Sequence, residues 1–237
     1  ATPSESRPMT QPQPIRPARE SLDALLARIG ARDATVAIMG MGYVGFPLAI
    51  ATHTQGFRVI GFDVDQTKID ALASGKSYLK GIDAGFVQKL NADGRFTATS
   101  NAADLAQADA ILMCVPTPLN KYREPDMSYV IATTATIAQH LRPGQLVVLE
   151  STTYPATTEE LLKPMLEKSG LVCGRDFYLA YSPEREDPGN PDSKVAQIPK
   201  VIGGYTPACL EKTRALYSKA IKTLVPVSSC RAAEATK

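Results

Sequence analysis

From Thr35 onward, apolar runs of strand length alternate with helix-length amphipathic segments, and this alternation limits the folds open to the chain more than any other feature. The runs are TVAIMG, RVIGFDV, RFTATS, AILMCVP, QLVVLES and FYLAYSPE, followed by PKVIGGY and TLVPVSS. Helical spacing is found near 45–56, 66–74, 83–91, 102–107, 128–141 and 157–169, then over 206–221, and RAAEATK opens one more helix. Continuous β-branched runs are apolar on both faces, and a strand buried on both faces needs helices above and below it. The expected fold is α/β, a doubly wound, mainly parallel sheet with helices on both faces.

Ahead of this pattern, residues 1–20 hold five of the 18 prolines among Ser, Gln and Arg, which predicts a flexible Pro-rich arm. Residues 21–31 place Leu22, Leu25, Leu26 and Ile29 on one helical face and stop at Gly30. Residues 32–237 then form a single domain, for which a hydrophobic content of 44% supplies a sizeable core. Lys plus Arg number 26 against 24 Asp plus Glu, interspersed, so there is no basic face for nucleic acid or an anionic membrane. An anionic ligand must be held locally.

Cys114, Cys173, Cys209 and Cys230 are scattered without metal-ligand spacing, Cys114 within a predicted strand and Cys230 at the end of another. They predict reduced thiols, no metal site and a cytoplasmic protein. His53 and His140 fall in helical segments, where packing or surface roles are expected. No apolar run approaches the roughly 18 residues of a membrane-spanning helix.

Gly40, Gly42 and Gly45 form G-x-G-x-x-G directly after TVAIM and at the entrance of a helix. In that context Gly40 permits the tight turn, Gly42 admits a diphosphate to the backbone, and Gly45 lets helix and strand pack closely. Amides at the helix start, around Tyr43 and Val44, then face the anion with the positive end of the helix dipole. Asp63 ends the second strand, where a carboxylate accepts from the adenosine ribose hydroxyls and repels a 2′-phosphate. NAD is therefore the expected cofactor on a Rossmann-like sheet, with Asp65 the alternative in register and Lys68 a further ribose contact. Methyltransferases bind adenosine on a similar sheet, but the full motif with Asp at this distance favours the dinucleotide.

The remaining unusual segments fall where open parallel sheets bind ligands, outside the carboxyl ends of their strands. CVPTPLN follows the fourth strand and presents Val115, Pro116 and Thr117, its prolines holding the loop extended. ESTTYPATT follows the fifth with Ser151, Thr152 and Thr153, before Thr157 and Thr158, either of which can cap the next helix. YSPEREDPGN follows the sixth.

In order, GMGYVGFPLA, GFDVD, CVPTPLN, DMSYV, ESTTYPATT, YSPEREDPGN, KVIGG and RAAEATK resemble the N-terminal half of bacterial UDP-sugar 6-dehydrogenases, over residues 33–237. The nearest branch acts on UDP-N-acetylglucosamine and related sugars. The resemblance implies oxidation of the sugar C6 alcohol to a carboxylate by two NAD molecules, for surface polysaccharide precursors. It implies that Thr152 helps place the catalytic water, with Thr153 the alternative match and a cofactor contact. It gives Glu184 a general acid/base role beside both cofactor and sugar, Arg185 a sugar-nucleotide contact, and Lys237 stabilisation of the oxyanion at C6. These roles are coherent, since hydride departure needs a proton acceptor and hydrolysis an oriented water.

The family's nucleophile, a cysteine in a GGHC-like motif, has no counterpart in these residues, nor do the connecting helix that builds the dimer and the domain that grips UDP. The chain is expected to be a cofactor-binding portion, inactive alone, of a protein that forms a homodimer or higher oligomer. Two other readings compete: a dehydrogenase of 3-hydroxy acids or 6-phosphogluconate, against which STTYP and SPERE argue, and a stand-alone NAD-sensing module without catalysis.

Overall fold

The computed structural model describes residues 19–119, 121–183 and 199–236. The arm therefore lies almost wholly outside the described residues, as do Glu184, Arg185 and Lys237. Among the described residues eight strands form one sheet: β1 Thr35–Met39, β2 Arg58–Phe62, β3 Phe96–Thr99, β4 Ala110–Met113, β5 Leu146–Leu149, β6 Tyr178–Tyr181, β7 Lys200–Gly204 and β8 Leu224–Val227. Their order is β3-β2-β1-β4-β5-β6-β7-β8. Every neighbouring pair is parallel except β6 with β7. The doubly wound expectation holds, and the strand order reverses direction between β1 and β4, where such sheets open a crevice.

The helices are α1 Arg19–Ala31, α2 Gly45–Thr54, α3 Gln66–Ala73, α4 Ala84–Ala92, α5 Ser128–His140, α6 Lys163–Leu166, α7 Pro207–Tyr217 and α8 Cys230–Glu234. A 3-10 segment, Ala102–Gln107, precedes β4. Successive strand residues turn to opposite faces, so Val36 and Ile38 join one apolar cluster with Phe46 and Leu216, whereas Ala37 and Met39 join another with Val130 and Leu166. Burial of every residue from Val36 to Met39 matches the reading of a strand covered on both sides. Leu25 and Ile29 of α1 are buried in the first cluster, so the N-terminal helix is part of the domain.

At the amino edge of the sheet, buried Asp109 accepts from the Thr35 amide, Arg28 and Arg142 at 2.8, 2.8 and 2.9 Å. Two guanidiniums and an amide there compensate the desolvated carboxylate. The opposite, carboxyl edge is left for the loops.

The segment read as one helix over 157–169 is three conformations in succession: a π-helical stretch Thr157–Leu162, then α6, then a 3-10 turn Glu167–Ser169. Pro164 has no N–H to give and its ring crowds the carbonyl of Glu160, which accounts for the widened turn before it. Neither Thr157 nor Thr158 caps this helix. Ala156 stands at the cap position with no side-chain hydrogen bond. Two cysteines also shift: β4 ends at Met113, so Cys114 begins the following loop, and Cys230 starts α8 instead of ending a strand. All four cysteines are buried and none is in a disulfide.

Candidate active site

Two adjoining hollows, about 440 and 300 Å³, lie at the carboxyl edge over the β1/β4 crossover and share Gly40, Asp63, Lys68, Val115 and Pro116. Together they form one cleft.

The glycine turn shapes its floor. Gly40 has φ +95°, and a Cβ there would meet the Cys114 carbonyl oxygen at 2.7 Å. A Cβ on Gly45 would lie 1.9 Å from the Gly40 carbonyl oxygen, so α2 starts in direct contact with the turn. Gly42 has no heavy atom within 4 Å of a built Cβ, leaving open space of the kind a diphosphate needs. Gly42, Tyr43 and Val44 line the larger hollow just before α2; in the first turn of that helix the Phe46 amide donates to the Gly42 carbonyl at 3.1 Å and Pro47 has no N–H, so the entrance Tyr43–Gly45 supplies the amides for an anion.

Asp63 sits between the two hollows and is only 5% exposed. Its Oδ2 accepts from the Met41 amide at 2.8 Å and from Lys68 Nζ at 3.0 Å, and its Oδ1 from the Asp65 amide at 2.9 Å. A carboxylate accepts about four hydrogen bonds, so one site remains for a ribose hydroxyl, with the Lys68 ammonium beside it. Asp65 is engaged differently: its Oδ1 accepts from the Thr67 amide and hydroxyl at 2.9 and 2.6 Å, capping α3. Those hydrogen bonds hold the Asp65 carboxyl below its ordinary range. Asp65 therefore caps α3 while also lining the smaller hollow, and Asp63 is the acid that lines both hollows.

The smaller hollow is mostly apolar, walled by Met39, Phe62, Val64 and Val115, with Tyr129, Ala132 and Thr133 from α5. A flat heterocycle such as adenine suits it. The larger hollow continues past Pro116 and Thr117 to Glu150, Ser151 and Thr152 after β5. Ser151 Oγ donates to the Val115 carbonyl at 2.6 Å, tying the loops after β4 and β5 together. Thr152 is exposed in the cleft. Thr153 does not line it, because its hydroxyl donates to Thr157 Oγ1.

The structure therefore brings Gly40, Gly42, Tyr43, Val44, Asp63, Lys68, Val115, Pro116, Thr117 and Thr152 to one cleft and sets Gly45 behind its floor. Three groups escaped the sequence reading. The cleft face of α5 was legible in principle, since 129, 132 and 133 share one helical face. Tyr78 carried no signal: its hydroxyl donates to the Met41 carbonyl at 2.5 Å and its ring stacks on Phe46 at 6.0 Å, bracing the glycine turn. Burial, then the nearby Asp63 and Asp65 carboxylates, push its phenol upward, so it stays a donor. Glu150 is fully buried beside the cleft, with Lys200 Nζ at 2.7 Å and the Tyr217 hydroxyl donating to its other oxygen.

Residues 34–221 match the family described as UDP-glucose/GDP-mannose dehydrogenase family, NAD binding domain. Protein CapL of Staphylococcus aureus is 39% identical over 204 residues, covering 85% of this chain and 47% of CapL. A UDP-N-acetyl-D-glucosamine 6-dehydrogenase of Pseudomonas aeruginosa is 37% identical over 208 residues, 87% of this chain and 48% of the enzyme. Among solved structures, the NDP-N-acetyl-D-galactosaminuronic acid dehydrogenase of Methanosarcina mazei Go1 superposes with a TM-score of 0.81 at 33% identity, over 92% of this chain and 48% of that one. The chain spans about half the length of these relatives.

Proposed function

The chain belongs to the UDP-glucose/GDP-mannose dehydrogenase family and carries its NAD-binding domain, and from that premise we propose that it is the cofactor-binding portion of a UDP-sugar 6-dehydrogenase. The substrate is UDP-N-acetylglucosamine or a close relative, oxidised at C6 to the uronic acid. One observation carries the reading: the glycine turn, Asp63 and Thr152 line a single continuous cleft.

Bound NAD supplies the hydride-accepting ring, once for each of the two oxidations. The amides at the start of α2 hold its diphosphate, and Asp63 accepts from the adenosine ribose. The apolar hollow beside α5 would hold the adenine, and Thr152 lines the adjoining larger hollow of the same cleft. There the Thr152 hydroxyl orients water for the hydrolytic step. Glu184 and Lys237, by the motifs they stand in, act as general acid/base and as the cation opposite the developing oxyanion.

Residues 1–237 alone are expected to bind NAD and to produce no sustained NADH when mixed with NAD and UDP-N-acetylglucosamine. Calorimetry and NADH absorbance measure the two parts. Failure to bind NAD would sink the proposal, and sustained turnover would overturn the assignment of this portion as inactive alone.

A further inference from the structure

The helical stretch after the Thr152 loop begins without a cap of its own. Ala156, at the cap position, has no side-chain hydrogen-bonding group and a left-handed backbone, φ +81°. The Thr157 hydroxyl is turned back, donating to the Tyr154 carbonyl at 2.7 Å and accepting from Thr153. The helix-start amides reach instead to a carboxylate on α8. Glu234 Oε2 accepts from the Ala156 amide at 2.5 Å, and Oε1 accepts from the Thr158 amide at 2.8 Å and the Thr158 hydroxyl at 2.5 Å.

The element that delivers this carboxylate is itself fastened. A Cβ on Gly203 would lie 2.2 Å from the Ser229 carbonyl oxygen, so β7 and α8 are in backbone contact. Ser229 caps α8 through the Ala232 amide at 3.0 Å, and Arg231 bonds Glu160 at 2.8 Å across to the capped stretch. Glu234, only 2% exposed, is therefore held rigidly against the loop that carries Thr152.

We propose that Glu234 is a positioning residue for the reaction site: by capping the helix from α8 it fixes the Thr152 loop in the cleft and ties the segment leading to Lys237 to that same loop. The proposal rests on the reading of Thr152 as a reaction-site residue. A carboxylate is the group the position calls for, because three donors converge on two oxygens. Glutamine has the same size but turns an NH₂ toward one set of donors and strands it. Facing Glu234 are Glu159 from the capped stretch, Tyr181 from β6 and Cys230 from α8. Burial first, and Glu159 after it, raise the carboxyl against its three hydrogen bonds. The folded chain thus holds this proton to higher pH than the unfolded one, and the group's contribution to stability falls as pH rises through that interval.

The test is amide-resolved NMR of the 237-residue chain with and without NAD. In the unsubstituted protein the Ala156 and Thr158 amide shifts are expected to titrate together, with a midpoint above the ordinary glutamate value, and the Thr152 amide to shift when NAD binds. Glu234→Gln should abolish the titration, speed exchange of those two amides about tenfold while leaving β1 protected, and shrink the NAD-induced shift at Thr152. An unchanged Thr152 response and unchanged exchange in Glu234→Gln overturn the role of Glu234. NAD binding with no Thr152 shift in the unsubstituted chain overturns the reading of Thr152 and the proposal with it. Should Glu234→Gln not fold, the titration in the unsubstituted chain decides: no titrating shift at Ala156 and Thr158 overturns the cap.

Discussion

Replacing Gly45 by alanine is expected to destabilise the chain by about 3 kcal/mol and to weaken NAD binding roughly 100-fold. The new methyl would sit 1.9 Å from the Gly40 carbonyl oxygen; a Cβ is fixed by its own main chain and the oxygen is main chain, so neither can rotate out of the way. α2 must back away from the turn between it and β1. That movement lowers stability through lost packing beneath Phe46 and Leu48, both buried. It also drags the amides that lead into α2, Tyr43 to Gly45, off the anion, and losing about two hydrogen bonds to a charged group accounts for the drop in affinity. Gly42→Ala is the informative companion. Nothing lies within 4 Å of its Cβ, so stability should change by less than about 0.5 kcal/mol while affinity falls, because the methyl occupies the diphosphate's own space. Urea unfolding and calorimetry on the two variants separate the roles: equal stability losses, or an unaltered affinity in Gly42→Ala, would contradict this account of the turn.

The second large effect is expected at Lys200. Lys200→Met leaves the fully buried Glu150 carboxylate without the ammonium 2.7 Å away, and breaking such a pair costs about 3–5 kcal/mol. For a domain with a typical stability of about 5–15 kcal/mol this is a large fraction of the whole. Removing the charge on both sides, Glu150→Gln with Lys200→Met, should recover much of the loss, since no uncompensated ion is then buried. A double-mutant cycle by urea unfolding reads the coupling directly. If the two single losses simply add, Glu150 and Lys200 are independent, and the pair does not anchor the end of β5. The anchoring bears on the site because Glu150 immediately precedes Ser151 and Thr152.

These examples show why some features were legible in the sequence and others were not. The strands could be read because residues such as Val36–Met39 and Leu146–Leu149 are buried on both faces, and that burial leaves an unbroken apolar run. The glycine turn and Asp63 were legible because their demands are local: a turn, an open approach, and an acid one strand further on. Lys200 and Tyr217 lie 50 and 67 residues from Glu150, and Glu234 lies 76 from Thr158, so nothing in local spacing marks them as partners. The misjudged cap of the helix at Thr157 has the same origin. Thr157 and Thr158 are good capping residues by type, but a buried carboxylate brought in by the sheet topology outcompetes them. Asp63 and Asp65 were open in register until the backbone set Asp63 in both hollows and engaged Asp65, at the edge of the smaller one, as the cap of α3.

The central claim is that the cleft holds a dinucleotide with Asp63 facing an unphosphorylated adenosine ribose. Titrating the chain with NAD and, separately, with NADP by calorimetry tests it most directly. The account predicts saturable one-to-one binding of NAD and at least about tenfold weaker binding of NADP, whose extra phosphate would meet the buried Asp63 carboxylate. No heat with NAD, or equal affinity for the two cofactors, would contradict it.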